Sequence, residues 1–154
     1  MISRRHSLLL SAAAAFVLAR PLPAQDVSRT HRTSPHVEIV AVARVETTPR
    51  RRVHSNGREF EEFDVTLLSS APSTDQGRGA DRELPVEGGR RVHLVHDLSC
   101  GGGWVELAAG DRVDVKGEYV RTTGGGKNVL HFTHPATGEC GVGGGHPNGY
   151  LRRR

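Results

Sequence analysis

From Val37 onward, apolar and polar residues alternate along most of the chain with a period of two. Val37 to Val45 is apolar except for Glu38 and Arg44 near its ends. Phe60 to Leu68 sets Phe63, Val65 and Leu67 on one face and Asp64 and Thr66 on the other. In Arg91 to Asp97, Val92, Leu94 and His96 share a face opposite His93, Val95 and Asp97. Arg112 to Val120 opposes Val113, Val115 and Tyr119 to Asp114, Lys116 and Glu118, and Asn128 to Thr133 is a shorter final strand. Successive strand side chains point to opposite faces, so each segment predicts a strand with one face in a core. No segment sustains a helical period. The pattern predicts a nearly all-β domain.

The breaks between these segments are equally informative. Ser55-Asn56-Gly57 carries the Asn-Gly signal of a tight turn, so Val37–Val45 and Phe60–Leu68 are expected to form a long antiparallel hairpin. The run Arg50-Arg51-Arg52 before it reads as a solvated turn. Ser69 to Gly89 has no period and reads as a loop insertion, longer than most loops of compact domains. Trp104 to Leu107 is a short strand or turn after Gly101-Gly102-Gly103, and Thr123 to Gly126 is a hairpin turn. Gly117, inside a strand, marks a bend or a close backbone approach. Five or six strands in so small a domain leave exposed edges unless the sheet closes. The expected fold is a small, closed or partly open OB-like barrel. A small β-sandwich is the alternative.

Composition narrows location and partners. Arg4 and Arg5, the apolar run Leu8 to Leu18 and Leu22-Pro23-Ala24 form a secretory signal over residues 1–24, too short to anchor in a bilayer. The arginine pair also resembles a twin-arginine signal, although Ser7 stands where a large apolar residue is usual. A polar lead-in over 25–36, one domain over 37–151 with the insertion at 69–89, and a basic tail over 152–154 follow. Loss of Arg4, Arg5 and Arg20 with the signal takes the 21 basic residues to 18 against 17 acidic. Such a balance gives no global electrostatic support for nucleic-acid binding. The expected product is an exported, periplasmic or extracellular monomer.

The chemistry-bearing residues are concentrated in the second half. Imidazole suits metal ligation and proton transfer near neutral pH, and five of the nine histidines are His93, His96, His131, His134 and His146. His131 and His134, three apart on a strand, point to opposite faces and cannot chelate one ion unless Pro135 lets His134 swing round. Leu130 and Phe132 are expected in the core, with His131 outside beside Val129 and Thr133. The two cysteines, Cys100 and Cys140, suggest a disulfide in an oxidising compartment, with a pair of thiol metal ligands as the alternative. A disulfide would draw the His96-Asp97 strand end towards His134-Pro135, with His146 close behind. His96, His134 and His146, with Asp97 or Glu118 behind them, would suit Zn²⁺ or Cu²⁺. The bland alternative is one exposed histidine and one bonded to backbone. Asp97, Glu118 and His131 are the further candidate ligand-binding residues.

The linked order of short motifs adds a resemblance. His96-Asp97-Leu98, Gly110-Asp111 through Gly117-Glu118-Tyr119, Gly125-Gly126 followed by Val129-Leu130-His131-Phe132-Thr133-His134, and His146-Pro147-Asn148-Gly149-Tyr150 occur in sequence. Together they resemble an uncharacterised family of small exported bacterial proteins, a domain of unknown function. Its pattern runs His-Asn-Ile-Asp, Gly-Asp-x-Val-x-x-x-Gly-Glu-Tyr, Gly-Gly-x-Ile-His-Trp-Thr-His and His-Pro-x-Gly-Trp. The resemblance covers roughly Val37 to Leu151 and implies an OB-like barrel and export, but no activity. This chain departs from it in Asp97, where the family has Asn, in the 69–89 insertion, and in its two cysteines.

Functionally, the residues point to an OB-like binding or structural module for an unknown ligand, with a histidine metal site. A metal-dependent phosphodiesterase or nuclease is the alternative, resting on fold analogy alone. No nucleophile motif is present. The glycine runs lack the lysine and hydroxyl residue of a phosphate loop. The few aromatic residues are largely needed for the core, which argues against a long base-stacking platform.

Overall fold

The computed structural model describes residues 34–76, 80–81, 84–123, 125–136, 146 and 148–154. The signal segment 1–24 and Cys140 lie outside the described residues. Among the described residues seven strands are formed: β1 (His36–Val45), β2 (Arg50–Val53), β3 (Glu59–Pro72), β4 (Arg91–Asp97), β5 (Arg112–Val120), β6 (Val129–His131) and β7 (Tyr150–Arg153). β1 pairs antiparallel with β3 on one side and with β5 on the other. β3 pairs with β4, β4 runs parallel to β6, and β6 pairs antiparallel with β5. The circuit β1-β3-β4-β6-β5-β1 is therefore closed. This five-stranded ring is an OB-like barrel, as the alternation and the need to remove edges predict. Among the described residues no helix is long and apolar enough to cross a membrane.

The inward faces are those read from the alternation. Val37, Ile39, Ala41, Ala43 and Val45 of β1 meet Phe63, Val65 and Leu67 of β3, Val92 and Leu94 of β4, Val113, Val115 and Tyr119 of β5 and Leu130 of β6. Leu84 and Leu151 join the same core. A bulge between Val42 and Ala43 shifts the β1–β3 register, which bends the strand as closure requires.

Four expectations change. Arg50-Arg51-Arg52 is a strand rather than a turn: Gly57, at φ 77°, reverses the chain so that β2 pairs with Glu59–Glu62 and leaves its side chains in water. Ser69 to Pro72, expected in the insertion, extends β3, and Gly89 N donates to Leu67 O to bring the loop back. Residues 152 and 153, expected in a tail, belong to β7, which pairs with Val113–Lys116 of β5. Trp104 to Leu107 forms no strand, and Trp104 is 48% exposed.

The largest local surprise is at the end of β6. Phe132 has φ 52°, a left-handed conformation rare for a bulky residue. The turn that frees His134 from strand geometry is thus at Phe132, ahead of Pro135. It also reverses two expected orientations, because Phe132 leaves the core and Thr133 becomes fully buried.

Candidate metal centre

The end of β4 and the segment after β6 meet at one end of the barrel. Asp97 closes β4, and its Oδ1 accepts a hydrogen bond from Ser99 N at 2.9 Å. That bond opens a kinked turn, Leu98–Gly102, in which Cys100 is buried. His134 arrives after the Phe132 turn and is 1% exposed. One ligand atom each from Asp97, Cys100 and His134 lies within 4.8 Å of the others, all three residues buried.

Each donor is held in a definite state. His134 Nδ1 donates to the carbonyl of Pro135 at 2.9 Å, which leaves Nε2 as the electron-pair donor of the ring. A backbone carbonyl on the far nitrogen is the usual way to orient a metal-binding imidazole. Burial holds His134 below its ordinary value, and His146 adds to this, so the ring is neutral near pH 7. Asp97 Oδ2 forms an ion pair with the Arg58 guanidinium, and Arg58 also reaches Cys100 Sγ. A cation thus already neutralises Asp97. Arg58 is 40% exposed and has room to withdraw.

His96, His134 and His146, expected to act together, and His131 divide into three environments. His146 packs edge-on against His134, with ring centroids 5.1 Å apart. His96 lies near this pair, but its nitrogens are both engaged: Nδ1 accepts from Thr133 Oγ1 at 2.8 Å and Nε2 donates to Gly103 O at 3.1 Å. Burial lowers the His96 pKa, so a neutral ring is locked against the barrel end. His131 goes elsewhere. It lies beside Glu118, its register partner, and both are buried rather than exposed, with His131 Nε2 and Glu118 Oε1 3.7 Å apart. Phe132 stands between the groups, stacking with His131 at 4.1 Å and with His146 at 4.2 Å.

Two glycines make this packing possible. A Cβ on Gly102 would meet the His96 ring, 2.6 Å from Nε2. A Cβ on Gly117 would lie 2.5 Å from the His131 carbonyl oxygen and 2.8 Å from Thr133 Cγ2, the close backbone approach that a glycine inside a strand predicts. A cleft of about 590 Å³ opens beside the cluster, lined by His96, Gly102, Lys116, Thr133, Pro135 and Arg152 among others.

Some residues of this region carry no signal in sequence. Thr133, which fixes His96, reads as an outward strand residue. Glu38 lies on the outward face of β1, yet it is only 1% exposed and faces Glu118 across the β1–β5 pairing. Its concealment comes from the segment after β3, where Ser73 N donates to Glu38 O and Gln76 Oε1 accepts from Glu38 N. Glu61 points inwards, and its Oε2 accepts a hydrogen bond from Val105 N at 3.2 Å.

No family model matches the chain, and no curated protein matches it. Among solved structures, the small single-stranded DNA-binding protein from Streptomyces coelicolor is similar over 62% of this chain and 86% of that one, at 19% identity and a TM-score of 0.37. At that level the likeness bears on neither ligand nor partner.

Proposed function

We propose that the protein is an exported OB-like binding module that holds a transition-metal ion, Zn²⁺ or Cu²⁺, at the end of its barrel. The observation that carries this reading is that buried Asp97 and His134 bring ligand atoms within 4.8 Å of each other, with His146 packed on His134. Neutral imidazole and carboxylate donors suit these ions. His146, packed on His134, would supply a further nitrogen. His96 would act as a prop, since its own nitrogens serve Thr133 and Gly103.

Cys100 has two mutually exclusive chemistries here, thiolate ligand or half of a disulfide. We take it to pair with Cys140 in the exported protein. The chain has only these two cysteines, and no free cysteine occurs among the described residues. The bond would then tie the Leu98–Gly102 turn to the chain beyond His134, and Asp97, His134 and His146 would remain as ligands. The ion would displace Arg58 from Asp97.

The test is thermal unfolding of the oxidised protein with Zn²⁺, Cu²⁺ or Mg²⁺. A ligand that binds only the folded state must raise its stability, by about 2.7 kcal/mol at a hundredfold excess over Kd. Zn²⁺ or Cu²⁺ is expected to stabilise the wild type, and His134→Ala is expected to lose that gain, whereas Mg²⁺ should do nothing. Equal stabilisation of both proteins would remove His134 from the site.

A further inference from the structure

We infer that Ser73–Gln76, directly after β3, is a proton-operated strap, shut over the outer face of β1 and β5 while Glu38 is protonated and lifted when Glu38 ionises. The strap holds Glu38 by its main chain. Ser73 N donates to Glu38 O at 2.8 Å. The Gln76 side chain brackets the same residue, its Oε1 accepting from Glu38 N and its Nε2 donating to Glu38 O, both at 2.9 Å. The regular β1–β3 register ends at Ile39 and Pro72, so the strap supplies the next ladder partner of β1.

The side chain under this cover is the unusual part. Glu38 is 1% exposed, and neither of its carboxyl oxygens has a hydrogen-bond partner among the described residues. Enclosing an unpaired carboxylate is far more costly than enclosing a neutral carboxylic acid. The surrounding charges push the same way. Glu118 of β5 stands opposite Glu38, itself buried, with His131 of β6 on its far side. Asp75 adds a further negative charge from the strap. Lys116 of β5 opposes these, but its Nζ is directed to Asp75 at 3.2 Å and so fastens the strap. On β1 itself the same face carries His36, whose Nδ1 lies 3.1 Å from Ser34 O and whose carbonyl accepts from Asp81 N. Burial first, then Glu118, hold the Glu38 carboxyl up at about 8.

Below that pH the strap covers a neutral group. Above it, closure would set a second enclosed carboxylate beside Glu118, with Asp75 next to both. Lifting the strap removes Asp75, gives Glu38 access to water and frees Lys116 to pair with the new charge. The strap is independent of the barrel-end ion, so metal-free, oxidised protein is used to test it. Amide hydrogen exchange is followed from about pH 6 to about pH 9, corrected for the intrinsic rise of exchange with pH. The Glu38 and Ser73 amides are expected to lose protection about tenfold more than the amides of β4, with the midpoint at which the Glu38 carboxyl resonance titrates. Glu38→Gln cannot ionise and is expected to keep both amides protected throughout. Unchanged strap protection overturns the inference, as does an equal loss in β4, which would be a general loosening of the barrel. Opening in Glu38→Gln as in wild type overturns it too. If that variant does not fold, the two wild-type midpoints decide, and a mismatch between them sinks the strap.

Discussion

At the scale of single residues, the structure turns on polar groups that the barrel buries and must satisfy. Thr133 is the sharpest case, because its hydroxyl is the partner of His96 Nδ1 at a fully enclosed position. Thr133→Val preserves shape and removes that donor, and stranding a buried acceptor costs about 1–3 kcal/mol. Chemical denaturation should show a loss of this size, and a change below about 0.3 kcal/mol would mean the bond is dispensable. Glu38 should set a pH dependence. Burial first, then the charge of Glu118 and Asp75, push its carboxyl up from 4.5 to about 8 despite Lys116. The folded protein therefore keeps a proton that the unfolded chain releases. Stability is complete below pH 4.5 and is lost progressively as pH rises towards 8, on the order of 5 kcal/mol from this group. Glu38→Gln should flatten the fall in Tm between pH 5 and 8. An undiminished fall would place its origin at another group, of which Glu61, raised to about 7 by burial, is the first candidate.

At the scale of elements, the strands were legible and the joins were not. Arg91–Asp97 and Arg112–Val120 coincide with β4 and β5 because Val92 and Leu94 in the one, and Val113, Val115 and Tyr119 in the other, recur at a period of two. β2 is hidden because an arginine run has no apolar face, and its pairing rests on backbone bonds and the Arg51–Glu59 ion pair. The site was legible in part. Asp97, His134 and His146 stand out by spacing and residue type, whereas Thr133 reads as an outward strand residue and is buried. A regular strand puts His131 and His134 on opposite faces. The residue that alters this, Phe132 at φ 52°, has no propensity for the conformation, so only tertiary packing selects it. Gly117 shows the same crossing from the β5 side. Gly117→Ala would force a methyl group against the His131 carbonyl and should destabilise the fold by about 1–3 kcal/mol. A melting temperature equal to wild type would show that β6 can retreat without loss.

At the scale of the whole molecule, a closed five-stranded ring removes the edges of the five central strands, leaving only the short β2 and β7 as edges, and it confines the polar chemistry to its end and outer face. Export and oxidation are the remaining large-scale proposals. Mass spectrometry of the secreted protein should find Gln25 at the amino terminus. The denatured, unreduced protein should show no free thiol, and reduction should lower stability by about 4 kcal/mol on the chain-entropy estimate for a loop of about 40 residues. Two free thiols would return Cys100 to the set of metal ligands. The central claim, an ion at the end of the barrel, is tested most directly by anomalous diffraction at the zinc edge from crystals grown with Zn²⁺. The expected result is a peak about 2.0–2.2 Å from His134 Nε2 and from an oxygen of Asp97, with Arg58 displaced. A fully ordered barrel end with Arg58 still on Asp97 and no anomalous peak there would contradict it.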